Sequence, residues 1–135
     1  MKKLVWTAIA IIAVFAVALN TSMIAGQAEA WVAAHPKDPN APQVLFDAAR
    51  WCDWMGDNDK AIQVYWELYQ QYPERGDLCA PALYYCAYIK DNSSNIVGIR
   101  KQAVPYLEII MDQYVGQGDW STKAKALYDE VNYVH

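Results

Sequence analysis

Residues 60–77 read KAIQVYWELYQQYPERGD and residues 102–119 read QAVPYLEIIMDQYVGQGD. Laid over each other at an offset of 42 without a gap, they pair Ala61 with Ala103, Tyr65 with Leu107, Leu68 with Ile110, Gln71-Tyr72 with Gln113-Tyr114 and Gly76-Asp77 with Gly118-Asp119; the match runs on to Ala82 and Ala124. In the first copy apolar residues recur at Ala61, Ile62, Tyr65, Leu68, Tyr69 and Tyr72, the stripe of an amphipathic helix. At an offset of 38 the preceding segments align as well, Leu45 with Leu83 and Ala49 with Ala87, so the second copy carries four additional residues within Asp91–Gly98. That stretch reads Asp-Asn-Ser-Ser-Asn, a loop composition. A unit of 38 to 42 residues holding two helical patterns is the mark of a helical solenoid, in which each unit buries its apolar face on the next.

Working outward gives the helix boundaries. Asn40 caps the first helix, with Pro42 in its first turn and Gln43 completing an Asn-x-x-Gln capping box, and the helix runs to about Met55 before Gly56. A second runs from about Asp57 to before Pro73. A third begins after Asp77 with Pro81 in its first turn and ends near Lys90. A fourth covers roughly Ile99 to Tyr114, where Pro105 requires either a kink or a later start. Ser121 caps a fifth, to about Tyr133, whose polar outer face closes the stack. Val, Ile and Thr form no alternating runs, so the expectation is all-α, two helix pairs plus a C-terminal capping helix over residues 40–135.

These residues resemble the tetratricopeptide repeat family, and within it the periplasmic proteins of the Tol-Pal coordinator and outer-membrane-assembly lipoprotein kind. The resemblance covers Pro42 to about Asn132 and rests on Leu45, Ala49, Gly56-Asp57, Lys60-Ala61, Tyr65 and Pro73, with the Tyr72-Pro73 to Ala80-Pro81-Ala82-Leu83-Tyr84 link and Trp120 with Lys123-Ala124. Ala48, Cys52, Leu68 and Val115 depart from the family pattern. The resemblance implies a short right-handed α-solenoid. It also implies a concave face, lined by the first helix of each pair, that receives a peptide or a helix of another envelope protein. Its groove positions fall on Gln43, Phe46, Arg50, Asp53, Trp54, Tyr84, Tyr88 and Asp91. Aromatic and Arg side chains are the usual interface anchors, although helical stripes also serve as core.

The first thirty residues read as an export signal. Lys2 and Lys3 precede the apolar run Leu4–Leu19, and Ala28-Glu29-Ala30 fits a small-x-small cleavage site before Trp31, leaving 31–39 as a linker. The alternative is that Leu4–Ala25 stays as an uncleaved inner-membrane anchor. Either places the domain in the periplasm or cell envelope. Gln27 stands where a lipoprotein signal would need cysteine.

The charge of −4 excludes a phosphate-driven nucleic-acid binder, and removing Lys2, Lys3 and Glu29 with the leader leaves nine basic and fourteen acidic residues. His35 and His135 are the two histidines, and no catalytic triad, phosphate loop, cofactor motif or metal-ligand spacing is legible, so neither an enzyme nor a metal site is expected. Asp53, Asp57 and Asp59 lack the glycine and closing glutamate of a calcium loop and read as caps. Cys52, Cys79 and Cys86 are an odd set for an oxidising compartment, and two cysteines seven apart in one helix lie too far apart to bridge. The ten Tyr and five Trp that follow the leader are either core filling or an exposed face for a protein or glycan; of Trp51, Trp54 and Trp66, Trp54 is expected to be the exposed one. Two repeats fall short of the roughly three that make a solenoid independently stable, which favours a homo-oligomer or permanent docking.

Overall fold

The computed structural model describes residues 1–18, 20–93 and 97–133, and these are all-α, with no strand among them. The order is α1 (Lys2–Ala18), α2 (Thr21–Ala34), α3 (Ala41–Trp54), α4 (Asn58–Gln71), α5 (Gly76–Asn92), α6 (Val97–Arg100), a 3₁₀ turn (Lys101–Ala103), α7 (Val104–Gln113) and α8 (Trp120–Tyr133). From α2 onward the helices pack in chain order, α2 on α3, α3 on α4, α4 on α5, α5 on α7 and α7 on α8. Lighter contacts join α3 to α5 and α5 to α8. This is a helical repeat-like stack: α3/α4 form one pair, α5 and the α6–α7 segment a second, and α8 closes the end.

The core follows the stripes. Leu45, Ala49 and Cys52 of α3 meet Ala61, Val64, Tyr65 and Leu68 of α4, and Leu83, Cys86 and Ala87 of α5 continue toward Leu107 and Ile110 of α7, all wholly shielded from solvent. Small residues recur at these contacts because close helix approach needs them.

The turn within the first pair is set by its hydrogen bonds. Gly56 has φ +81°, its N–H donates to Asp53 O (3.0 Å), and the Asp57 N–H reaches Cys52 O (2.9 Å), a Schellman closure. Asp57 then caps α4 by accepting the Lys60 N–H at 3.4 Å. A Cβ at residue 56 would meet nothing within 4 Å, so the glycine is there for backbone conformation alone. Gly56→Ala is expected to cost about 1 kcal/mol with no change in fold, read from the urea midpoint; a neutral result would mean that the left-handed conformation is not required.

Several boundaries differ from the sequence reading. Asn40 makes no side-chain cap, and Gln43 donates to Asp47 Oδ1 (2.8 Å) instead of completing a box. It is Asp38 that accepts the Asn40 N–H. Pro81 lies inside α5, not in its first turn, because that helix starts at Gly76 behind Arg75. The Pro105 alternatives resolve as a later start: the chain passes through α6 and a 3₁₀ turn, and Pro105 occupies the first turn of α7, where a missing N–H is harmless. Trp120, not Ser121, opens α8.

The largest difference is at the N-terminus. Residues 31–34, expected in a linker, finish α2, and the Leu4–Ala25 stretch of the alternative anchor reading is divided between α1 and α2, with Asn20 capping the latter. Ala25 and Val32 are buried in the domain core. No helix among the described residues is long and apolar enough to cross a membrane. Leu19, part of the 91–98 insertion and His135 lie outside the described residues.

A tyrosine clasp ties successive units. Tyr72 Oη donates to Pro36 O (2.8 Å), and Tyr114 Oη donates to Pro73 O (2.6 Å), so each second helix grips the proline turn one unit earlier.

Candidate partner-binding face

The face shared by α3, α5 and α8 carries a chain of rings that is linked through the buried Tyr65 of α4. Phe46 packs 6.0 Å from Tyr65, Tyr65 lies 5.8 Å from Tyr85, and Trp120 stands against both Tyr84 (5.5 Å) and Tyr85 (6.0 Å). Tyr84 continues to Tyr88 at 6.5 Å. Helical spacing explains the set: Phe46, Arg50 and Asp53 are one turn apart on α3, and Tyr84 and Tyr88 one turn apart on α5. The exposed end of the chain is Tyr88, 53 % accessible.

Two cations sit on these rings. Arg50 Cζ lies 4.4 Å from the Tyr85 centroid, and Lys123 Nζ lies 4.5 Å from the Trp120 centroid. Asp53 Oδ2 accepts from Tyr65 Oη (3.3 Å) and faces Arg50 Nη1 at 4.0 Å. Burial pushes the Tyr65 phenol far above its ordinary range, with Asp53 adding to the rise. Burial also raises the Tyr84 phenol, partly offset by Lys123. Both phenols are therefore neutral donors at physiological pH.

Of the residues expected to line the face, Phe46, Arg50, Asp53, Tyr84 and Tyr88 come together here. Three do not belong to the ring chain. Asp91 is buried and bound to Arg100 Nε at 2.7 Å, a structural ion pair. Of Trp51, Trp54 and Trp66, Trp54 is the exposed one, 77 % accessible, but it packs on Trp51 at 5.4 Å. Trp51 in turn lines the cleft of about 450 Å³ between α2 and α3, with Ile24, Ala28, Val44 and Ala48. Gln43 is held by Asp47, which lines the same cleft. Sequence reasoning missed Tyr65, Tyr85 and Trp120 as ring-chain members. Their signals were the Tyr84-Tyr85 doublet and the Trp120-x-x-Lys123 spacing.

Among the described residues no three His, Cys, Asp or Glu side chains converge as metal ligands. A face of rings, phenol donors and two cations is suited to holding apolar and acidic groups of another chain. Compared with protein-family models, curated proteins and solved structures, the chain gives no match.

Proposed function

We propose that this chain is an exported adaptor of the bacterial cell envelope, similar in build to tetratricopeptide proteins, whose α3–α5–α8 face holds a segment of another envelope protein. The observation that carries the reading is the ring chain capped by Arg50 and Lys123. It joins four helices, α3, α4, α5 and α8, and it leaves Tyr88 exposed at its edge. Large rings with a cation stacked on them lose little entropy when a partner seats, and such residues dominate interface energies. The module works by binding.

The test is site-specific photocrosslinking in the envelope. A benzophenone residue at Tyr88 is expected to give one discrete adduct, and the same probe at Gln102, exposed away from the ring chain, is expected to give none. The Tyr88 adduct should be lost in an Arg50→Ala, Lys123→Ala background, since each substitution removes a stacked cation. Identical adducts from both sites, or an adduct indifferent to the two cations, would overturn the reading.

A further inference from the structure

Helix α2 repeats α4 cap for cap. Both have 14 residues. Asn20 accepts the Met23 N–H (3.1 Å) as Asp57 accepts the Lys60 N–H (3.4 Å). The C-caps share one conformation, His35 at φ −131°, ψ 52° and Tyr72 at φ −132°, ψ 54°, and a proline follows each. The carbonyls of those prolines, Pro36 and Pro73, are the two acceptors of the tyrosine clasp. By position and by bonding, α2 is the second helix of a leading unit.

Its side chains are committed to the domain. Ala25 is wholly buried and Val32 nearly so, and Glu29 Oε1 pairs with Lys60 Nζ at 2.7 Å, which raises the Lys60 ammonium above its usual range. A cut after Ala30 would remove residues 21–30, leaving α2 less than two turns and taking away Ala25 and Glu29. A remnant that short does not hold a helix.

Helix α1 is the opposite case. Leu4, Trp6, Ile9, Ile12 and Phe15 are all exposed, and α1 ends at Ala18, two residues before the α2 cap. Lys2-Lys3, the apolar run Leu4–Phe15 and the small-x-small triplet Ala16-Val17-Ala18 supply the three parts of a secretory leader in about eighteen residues.

We infer that the leader ends at Ala18, not Ala30, so that the mature chain begins at Leu19 with α2 intact. This rests on the export reading above. The step is hydrolysis of the Ala18–Leu19 peptide bond by a membrane-bound leader peptidase. The hydroxyl of water goes to the Ala18 carbonyl carbon as the C–N bond breaks, and its remaining proton goes to the new Leu19 amine.

The test is intact mass of the full chain expressed with a C-terminal tag and recovered from the envelope fraction. A mass beginning at Leu19 is expected. Ala18→Phe should block processing and accumulate full-length chain, while Ala30→Phe, at an exposed position, should leave the mass start unchanged. A start at Trp31 overturns the inference and leaves export standing; a start at Met1 in the soluble cytoplasmic fraction overturns both. Thermal melting gives an independent readout. Ala25→Asp, and the milder Glu29→Gln, should lower the melting temperature of the recovered protein, by about 10 °C and on the order of 3 °C respectively. Unchanged melting for both would mean that residues 21–30 are absent from the mature domain.

Discussion

Tyr65→Ala is expected to cost about 3–5 kcal/mol, a large share of the stability of a domain this size, and to appear as a steep drop in the urea midpoint. The residue is wholly shielded, packs against both Phe46 and Tyr85, and so joins α3, α4 and α5 at the point where the two pairs meet. Its phenol supplies only a small part of this. Tyr65→Phe removes the 3.3 Å bond to Asp53 and should cost about 1 kcal/mol, because half-exposed Asp53 keeps Arg50 and water as partners. A Tyr65→Ala loss no larger than that of Tyr65→Phe would show that the ring is not a keystone of the stack. The same pair of variants separates core from interface: Tyr65→Phe should leave the Tyr88 crosslink intact.

The second large effect concerns the thiols. Cys52, Cys79 and Cys86 are all fully buried, and Cys79 and Cys86 share α5, seven residues apart, where no bridge can form. Burial pushes each thiol above its ordinary value of 9.0, Cys79 to about 11. In the folded state these groups stay protonated at a pH where the unfolded chain has already lost the proton. The unfolded state is then favoured by about 1.4 kcal/mol per pH unit for each thiol, from pH 9 up to the folded value. Stability should therefore be flat from pH 6 to 8.5 and fall steeply between pH 9 and 11, with the buried phenols of Tyr65 and Tyr114 steepening the loss above pH 10. At pH 8 an aromatic disulfide reagent should label none of the three until urea unfolds the chain. Rapid labelling of the folded protein, or a melting temperature indifferent to pH across 9–11, would contradict this burial.

How much of this was legible depended on how many residues of each helix face the core. α4 buries Ala61, Val64, Tyr65 and Leu68, enough to print a stripe and an offset of 42 that any pairwise comparison finds. α2 buries two small apolar side chains, Ala25 and Val32, and its Ala-Gly-Gln-Ala-Glu-Ala composition resembles the end of a leader. What marks it as a repeat is its ends, Asn20 and His35-Pro36, and caps carry little weight in a hydropathy reading. Pro81 misled for a related reason: a proline inside a pattern suggests a first turn, whereas α5 extends a full turn ahead of it through Gly76-Asp77-Leu78. On the ring-bearing face, the α3 and α5 positions could be projected from a single helix each. Asp91 could not, since the guanidinium that claims it arrives nine residues later, from α6.

The tyrosine clasp has a bearing on how such a stack can be lengthened. It spans 36 residues in one unit and 41 in the next, yet closes at 2.8 and 2.6 Å. Pitch is thus gauged by a phenol and a carbonyl at one rim, and chain length is free to vary at the opposite rim, where α5 gives way to α6. That rim is the natural place to graft a foreign loop or an affinity epitope without disturbing how the helices follow one another.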